Sequence, residues 1–227
     1  MNKPAVKLEE QIISLFSNLE TELYQGWVLK QTSCKMIIYP LYGGSLTRQD
    51  ISDRIKECEA VSRQKSLPCE FRIVDHTNYY LASILEDNGY KRHGYSIAER
   101  YINNHAAAPH HNTNLIIHDP KIHDSKIHDP KIHDPKIILT KTTEKNRTEK
   151  IIADDGSIVG IRRQDLLYLP DGNLSCKLKI NDIFQFAAEN QISRILVNIP
   201  EDETLSAHYQ KSGFRKLYLY HRYQKEE

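Results

Sequence analysis

Hydrophobic and polar positions along this chain change period several times, and each change marks an element. Leu8, Ile12, Ile13, Leu15, Phe16 and Leu19 fall on one face of a helix spanning residues 8 to 20. Apolar positions then tighten, and Leu23 to Lys30 and Lys35 to Tyr39 read as two strands joined by a turn at Gln31 to Cys34. Pro40 to Leu46, with its Gly43-Gly44 pair, reads as a loop. From Thr47 the helical period returns in Ile51, Ile55, Cys58 and Val61, and Thr47 with Asp50 suits a capping box. Leu67-Pro68 ends that helix before a short strand, Glu70 to Val74. A further helix over residues 77 to 88 is stopped by Gly89, and Tyr95 to Ile102 reads as a strand.

The second half repeats this grammar. Residues 150 to 153 and 158 to 163 predict a hairpin around the Asp155-Gly156 turn, followed by a strand from Asp165 to Leu169 and a helix from Ile180 to Asn190. Ile195, Val197 and Ile199, alternating with Leu196, Asn198 and Pro200, predict a strand that Pro200 stops. Asp202, Glu203 and Thr204 place acidic and capping groups at the start of a short helix, where the dipole favours them. Gly213 closes that helix, Phe214 folds back on the core, and the aromatic run Leu217 to Tyr223 predicts the last strand.

Between the halves lies a different pattern. Residues 116 to 137 carry Lys-Ile-His-Asp-Pro in tandem, with Ser125 once in place of Pro. His118, His123, His128 and His133 each precede Asp, a ligand pair suited to zinc or nickel. A period of five matches neither helix nor strand, and the recurring Pro removes backbone donors, so a connector is the stronger reading and no metal site is assigned.

Composition narrows the class. The 227 residues suffice for one large domain or two small ones, and a net charge of +1 with interspersed signs argues against a nucleic-acid surface. No apolar run approaches the about 20 residues needed to cross a bilayer, and the first residues lack a secretory apolar region, so a cytoplasmic protein without a membrane partner is expected. Cys34, Cys58, Cys69 and Cys176 lack CxxC spacing and read as reduced thiols.

The run from Ile192 to Tyr223, ISRILVNIPEDETLSAHYQKSGFRKLYLYHRY, with a Tyr just before its helix stops at Ser212-Gly213-Phe214, resembles the C-terminal part of the GNAT family of acyl-CoA-dependent N-acetyltransferases. Leu67-Pro68, Phe71-Arg72 and Gly89-Tyr90 resemble the N-terminal half of two-part members, and LEDNGYKRHGYSIAERY mirrors YQKSGFRKLYLYHRY as an internal duplication. The resemblance implies an α/β (α+β) protein with two GNAT-like halves, residues 1–104 and 137–227, joined by a linker over 105–136. Each half would hold a mixed, largely antiparallel sheet with packed helices.

The same resemblance implies acetyl-CoA as co-substrate and transfer of its acetyl group to an amine on a small molecule or peptide. It assigns the pantetheine arm to the backbone of the strand carrying Leu167 and Leu169. The pyrophosphate falls to the turn carrying Gly172 and Lys177, with Lys179 as a further basic group, and protonation of the departing thiolate falls to Tyr209. That turn departs from the family's glycine-rich pattern, which keeps open a non-catalytic binding or interaction module as the alternative. An aromatic packed against the sheet is the competing reading of Tyr209, and a solvent-facing His that of His208. Asp165, Asp171 and Glu189 are candidate bases by proximity alone.

Overall fold

In a computed structural model of the chain, residues 3–16, 19–41, 46–74, 79–102, 137–140, 148–153, 158–172 and 179–225 are described, the side chains of 3, 79, 137–140 and 153 excepted. The elements are α1 (Lys3–Leu15), β1 (Thr21–Tyr24), β2 (Trp27–Gln31), β3 (Met36–Tyr39), α2 (Arg48–Gln64), β4 (Cys69–Val74), α3 (Tyr79–Asp87) and β5 (Lys91–Tyr101). They continue with β6 (Ile137–Thr140), β7 (Thr148–Ala153), β8 (Ile158–Arg163), β9 (Leu166–Leu169), α4 (Ile180–Glu189), β10 (Arg194–Pro200), α5 (Glu203–Lys211) and β11 (Arg215–Gln224). The fold is mixed α/β with largely antiparallel strands, as expected. Besides β5, which begins at Lys91 and not at Tyr95, two expected elements differ. The first helix begins at Lys3 and ends at Leu15, and the single strand expected over Leu23 to Lys30 is a hairpin, because Gln25 and Gly26 both adopt positive φ (44° and 86°) and turn the chain back. The histidine repeat, the Asp155-Gly156 turn and the Gly43-Gly44 pair lie outside the described residues.

The chain divides into two compact units, neither of them continuous. One comprises Met1–Ile97, Pro200–Ser206 and Lys216–Glu227, the other Ala98–Ile199 and Ala207–Arg215. In the first unit the strands run in the order β1-β2-β3-β4-β11, with the first residues of β5 next. β3 and β4 pair in parallel, whereas β11 runs antiparallel to β4 with Tyr220 opposite Val74. Helix α2 starts as the sequence requires: Thr47 accepts from the Asp50 amide and Asp50 from the Thr47 amide, closing a capping box.

The core of this unit gathers Trp27, Leu29, Ile38, Ile51, Ile55, Phe71, Leu85 and Tyr90. Phe71 meets Trp27 and Tyr90 edge-on at 6.2 and 5.3 Å. On α1, Val6 and Ile13 pack with Tyr39 and Leu41. Beside them Glu9, fully buried, accepts from Arg72 (2.8 Å) and from the Tyr218 hydroxyl (2.5 Å), and the Arg72 guanidinium lies 3.7 Å from the centre of the Tyr220 ring. The Lys30 ammonium donates to the Phe16 carbonyl at 2.6 Å just past α1, and burial pulls its pKa down to about 8.

In the second unit the last residues of β5 are followed by β10-β9-β8-β7-β6. β9 and β10 pair in parallel and β6 to β9 form antiparallel neighbours. Ile161, Tyr168, Ile183, Phe186, Ala187, Leu196 and Tyr209 are buried here. Strand β6 is not foreseen in the apolar pattern, which starts the second half's strands at the hairpin near Lys150.

Helices α2 to α5 all end alike. The amides of Leu67, Tyr90, Ile192 and Phe214 donate to the carbonyls of Ser62, Leu85, Ala187 and Tyr209, each following a residue of positive φ: Ser66, Gly89, Gln191 and Gly213. Each such end turns the chain directly into the next strand. The predicted stops at Gly89 and Gly213 are two of these four.

Candidate functional site

The second unit's parallel pair sets the geometry. β9 lies between two neighbours: Leu166, Leu167 and Tyr168 oppose β8, and Leu166 to Leu169 run beside Arg194 to Val197 of β10. Leu167 and Leu169 are therefore buried, inner-strand residues, with their backbone flanked on both sides along most of that length. Beyond Leu169 the ladder is continued by a side chain. Asn198, buried on β10, donates its side-chain amide nitrogen to the Pro170 carbonyl at 2.9 Å, and its backbone carbonyl accepts the Gly172 amide at 2.7 Å. A Cβ at Gly172 would stand 2.4 Å from that Asn198 oxygen, so this turn tolerates only glycine.

The Gly172 carbonyl in turn accepts the hydroxyl of Tyr209 at 2.8 Å. Tyr209 reaches it because α5 ends in the closed cap described above, which ties the Tyr209 carbonyl to the Phe214 amide. The ring is wedged edge-on against Phe214 at 5.2 Å, Phe214 lies 6.0 Å from Phe184, and the Arg100 guanidinium covers Phe184 at 3.8 Å while donating to the Ser212 carbonyl. Burial, with the charge of Asp171 adding to it, pushes the Tyr209 phenol up, so it stays protonated and acts as a donor. Tyr209 is thus an aromatic core residue, and its hydroxyl is held at the turn that follows β9.

The structure thus brings together Leu169, Gly172 and Tyr209, with Leu167 two residues back on the same strand; Lys177 lies outside the described residues. Lys179 caps the start of α4, its amide donating to Asp182 at 2.9 Å. Asp165 sits at the opposite, amino end of β9, where its carbonyl accepts the amides of Ser193 (2.9 Å) and Arg194 (3.1 Å) and its carboxylate takes the Ser193 hydroxyl. Glu189 accepts the Gln185 amide at 2.9 Å on α4. His208 is exposed, its ring 6.0 Å from that of Tyr209. Asn198 was missed in the sequence. A lone Asn inside the apolar run ILVNIP is the trace it leaves there, since a buried amide needs partners, and the turn after β9 supplies one.

Among the described residues no group of three or more His, Cys, Asp or Glu side chains could hold a metal ion, and no helix is long and apolar enough to cross a membrane. No family model matches the chain, and no similar curated protein is found. Solved structures are similar. A GCN5-related N-acetyltransferase from Kribbella flavida superposes with a TM-score of 0.58 at 9% identity, covering 98% of this chain and 96% of that one. A conserved protein of unknown function from Staphylococcus epidermidis gives 0.51 at 9% identity, covering 92% and 94%. An acetyltransferase described as putative, from Pyrococcus horikoshii, gives 0.50 at 9% identity, covering 88% and 69%. Identities this low speak to architecture and not to activity. The chain has the fold of the GCN5-related N-acetyltransferases.

Proposed function

We propose that this chain is an acetyl-CoA-dependent N-acetyltransferase acting on an amine, with its chemistry in the second unit. One observation carries the reading: a protonated phenol, Tyr209, is fixed by its helix cap at the carboxyl end of the parallel pair β9/β10. Acetyl-CoA, when bound, supplies the activated acyl carbon. The backbone at Leu167 and Leu169 would hold the pantetheine arm, and Gly172 and Lys177 the pyrophosphate. Tyr209 fits its role, its proton held at Oη against the Gly172 carbonyl, but Gly172 fits a pyrophosphate poorly, because its amide is taken by the Asn198 carbonyl and its own carbonyl faces the phenol. Tyr209 has one proton to give. Releasing it to a thiolate breaks the bond to Gly172, so the turn and the phenol act as one device. The acceptor would be a small-molecule or peptide amine, with no nucleic-acid or membrane partner, in the cytoplasm.

A second reading has its own support. Asn198 bridges Pro170 and Gly172 to β10, and β9 is flanked on both sides, so the backbone groups that would receive a pantetheine arm are already engaged within the chain. That favours a GNAT-fold module that binds or interacts without catalysis.

Isothermal titration of acetyl-CoA into the protein and its Tyr209→Phe variant separates the two. Micromolar binding to both, with amine acetylation lost only in Tyr209→Phe, is the expected result. Absence of binding at millimolar acetyl-CoA would end the catalytic reading and leave the module.

A further inference from the structure

The first unit holds two thiols that the acetyltransferase reading does not use. Cys58 is buried on α2, and Cys69, half-buried, opens β4. Cys69 and Phe71, two residues apart on the strand, share the sheet face that Ile51, Ile55 and Cys58 of α2 cover. The left-handed end at Ser66 brings the chain straight back along the helix. The Cys69 thiol therefore donates to the backbone carbonyl of Cys58 itself, at 3.7 Å. The charge of a Cys69 thiolate would be felt at the Cys58 sulfur.

The two sulfurs keep different company. Ser62, one turn beyond Cys58, is buried, and its hydroxyl has no hydrogen-bond partner of ordinary geometry among the described residues. It stands close enough to Cys69 to favour the thiolate there, as do the Tyr90 hydroxyl and the Lys225 ammonium. Tyr90 and Lys225 are held in place by Glu59, to which each donates at 2.8 Å. Burial still outweighs these groups and raises the Cys69 thiol. Cys58 is buried more completely, and its thiol is pushed up to about 12.

We propose that Cys58 and Cys69 form a disulfide site, closed when the protein meets a peroxide, that staples α2 to the start of β4. Cys69, the half-buried member, reacts first. Its thiolate attacks one peroxide oxygen, the O–O bond breaks, and the departing hydroxide takes up the thiol proton as water, leaving a sulfenic acid. The Cys58 thiol attacks that sulfur and loses its proton while the S–O bond breaks, so the disulfide forms and a second water leaves. Two thiols give up two electrons, and one peroxide accepts them. The link confines the unfolded chain, so the oxidised protein is the more stable form.

The test is treatment of the full chain with hydrogen peroxide, followed by digestion without reductant and mass spectrometry. A peptide joining Cys58 to Cys69 is expected, removed by dithiothreitol, with a higher Tm for the oxidised protein. Because both thiols stay protonated at neutral pH, linkage should speed up about tenfold per pH unit between about pH 7 and pH 9. In Cys58→Ala the reaction should stop at the Cys69 sulfenic acid, which dimedone traps. Cys58 and Cys69 both remaining reduced under conditions that oxidise the exposed Cys34 overturns the proposal, as does Cys69 linked to Cys34 or Cys176 instead. A Cys58–Cys69 link that lowers the Tm overturns it too, because the two sulfurs would then not meet in the native fold.

Discussion

Helices α3 and α5 end in the same way and serve different purposes. In each, a glycine of positive φ (80° at Gly89, 83° at Gly213) lets the next amide close on the helix, and an aromatic follows, Tyr90 or Phe214. The residue whose carbonyl receives that amide is Leu85 in one and Tyr209 in the other. Both side chains are buried, but only Tyr209 carries a hydroxyl. The cap fixes where the side chain goes and leaves its chemistry free. The two units also bury polarity differently. The first hides an ion pair with both partners buried, Glu9 with Arg72, whereas in the second the buried Glu99 pairs with the more accessible Arg194 and Arg215 and the clasp of Asn198, Gly172 and Tyr209 is neutral.

That contrast can be broken by substitution, beginning with the largest effect. Arg72→Met leaves the Glu9 carboxylate buried with Tyr218 as its remaining donor, and should cost about 3–5 kcal/mol in urea unfolding. Tyr209→Phe deprives the Gly172 carbonyl of its hydroxyl and should cost about 1–3 kcal/mol by the same measurement. If the two losses proved equal, the distinction between charged and neutral burial would fail.

Gly213→Ala and Gly89→Ala sharpen the comparison of the caps. Each pays the left-handed backbone penalty of about 1–2 kcal/mol. At Gly213 the new methyl also meets the Arg100 guanidinium at 3.3 Å, whereas at Gly89 nothing lies within 4 Å, so the Gly213 variant should have the lower Tm. The smallest effect is a gain: Gln191→Gly relieves a positive φ of 56° and should stabilise by at most about 1 kcal/mol, read as a small rise in Tm.

These ends also show what was legible in the sequence. The stops at Gly89 and Gly213 and the Thr47–Asp50 box are written in residue types that few other conformations favour. The ends near Leu67-Pro68 and Asn190 are legible too, but not their left-handed residues Ser66 and Gln191, because nothing local marks a serine or glutamine as left-handed. Gln25 hid a hairpin for the same reason. Of the candidate site, Tyr209 and Gly172 could be named from the motif and its neighbours. Asn198 and the trio of Glu9, Arg72 and Tyr218 could not, since their partners are distant in sequence and only the folded sheet selects them.

The discontinuity of the units bears on how the protein is made. Strand β4 of the first unit receives β11 as its antiparallel neighbour, with Val74 opposite Tyr220, and Glu9 waits for Tyr218. A ribosome must therefore deliver the second unit's long segment before the first unit can finish its sheet. Until then the β4 edge and the Glu9–Arg72 pair lack their covering strand, an interval in which a chaperone or an aggregating neighbour competes for the same edge. Glu9 and β4 are thus made well before the strand that seals them.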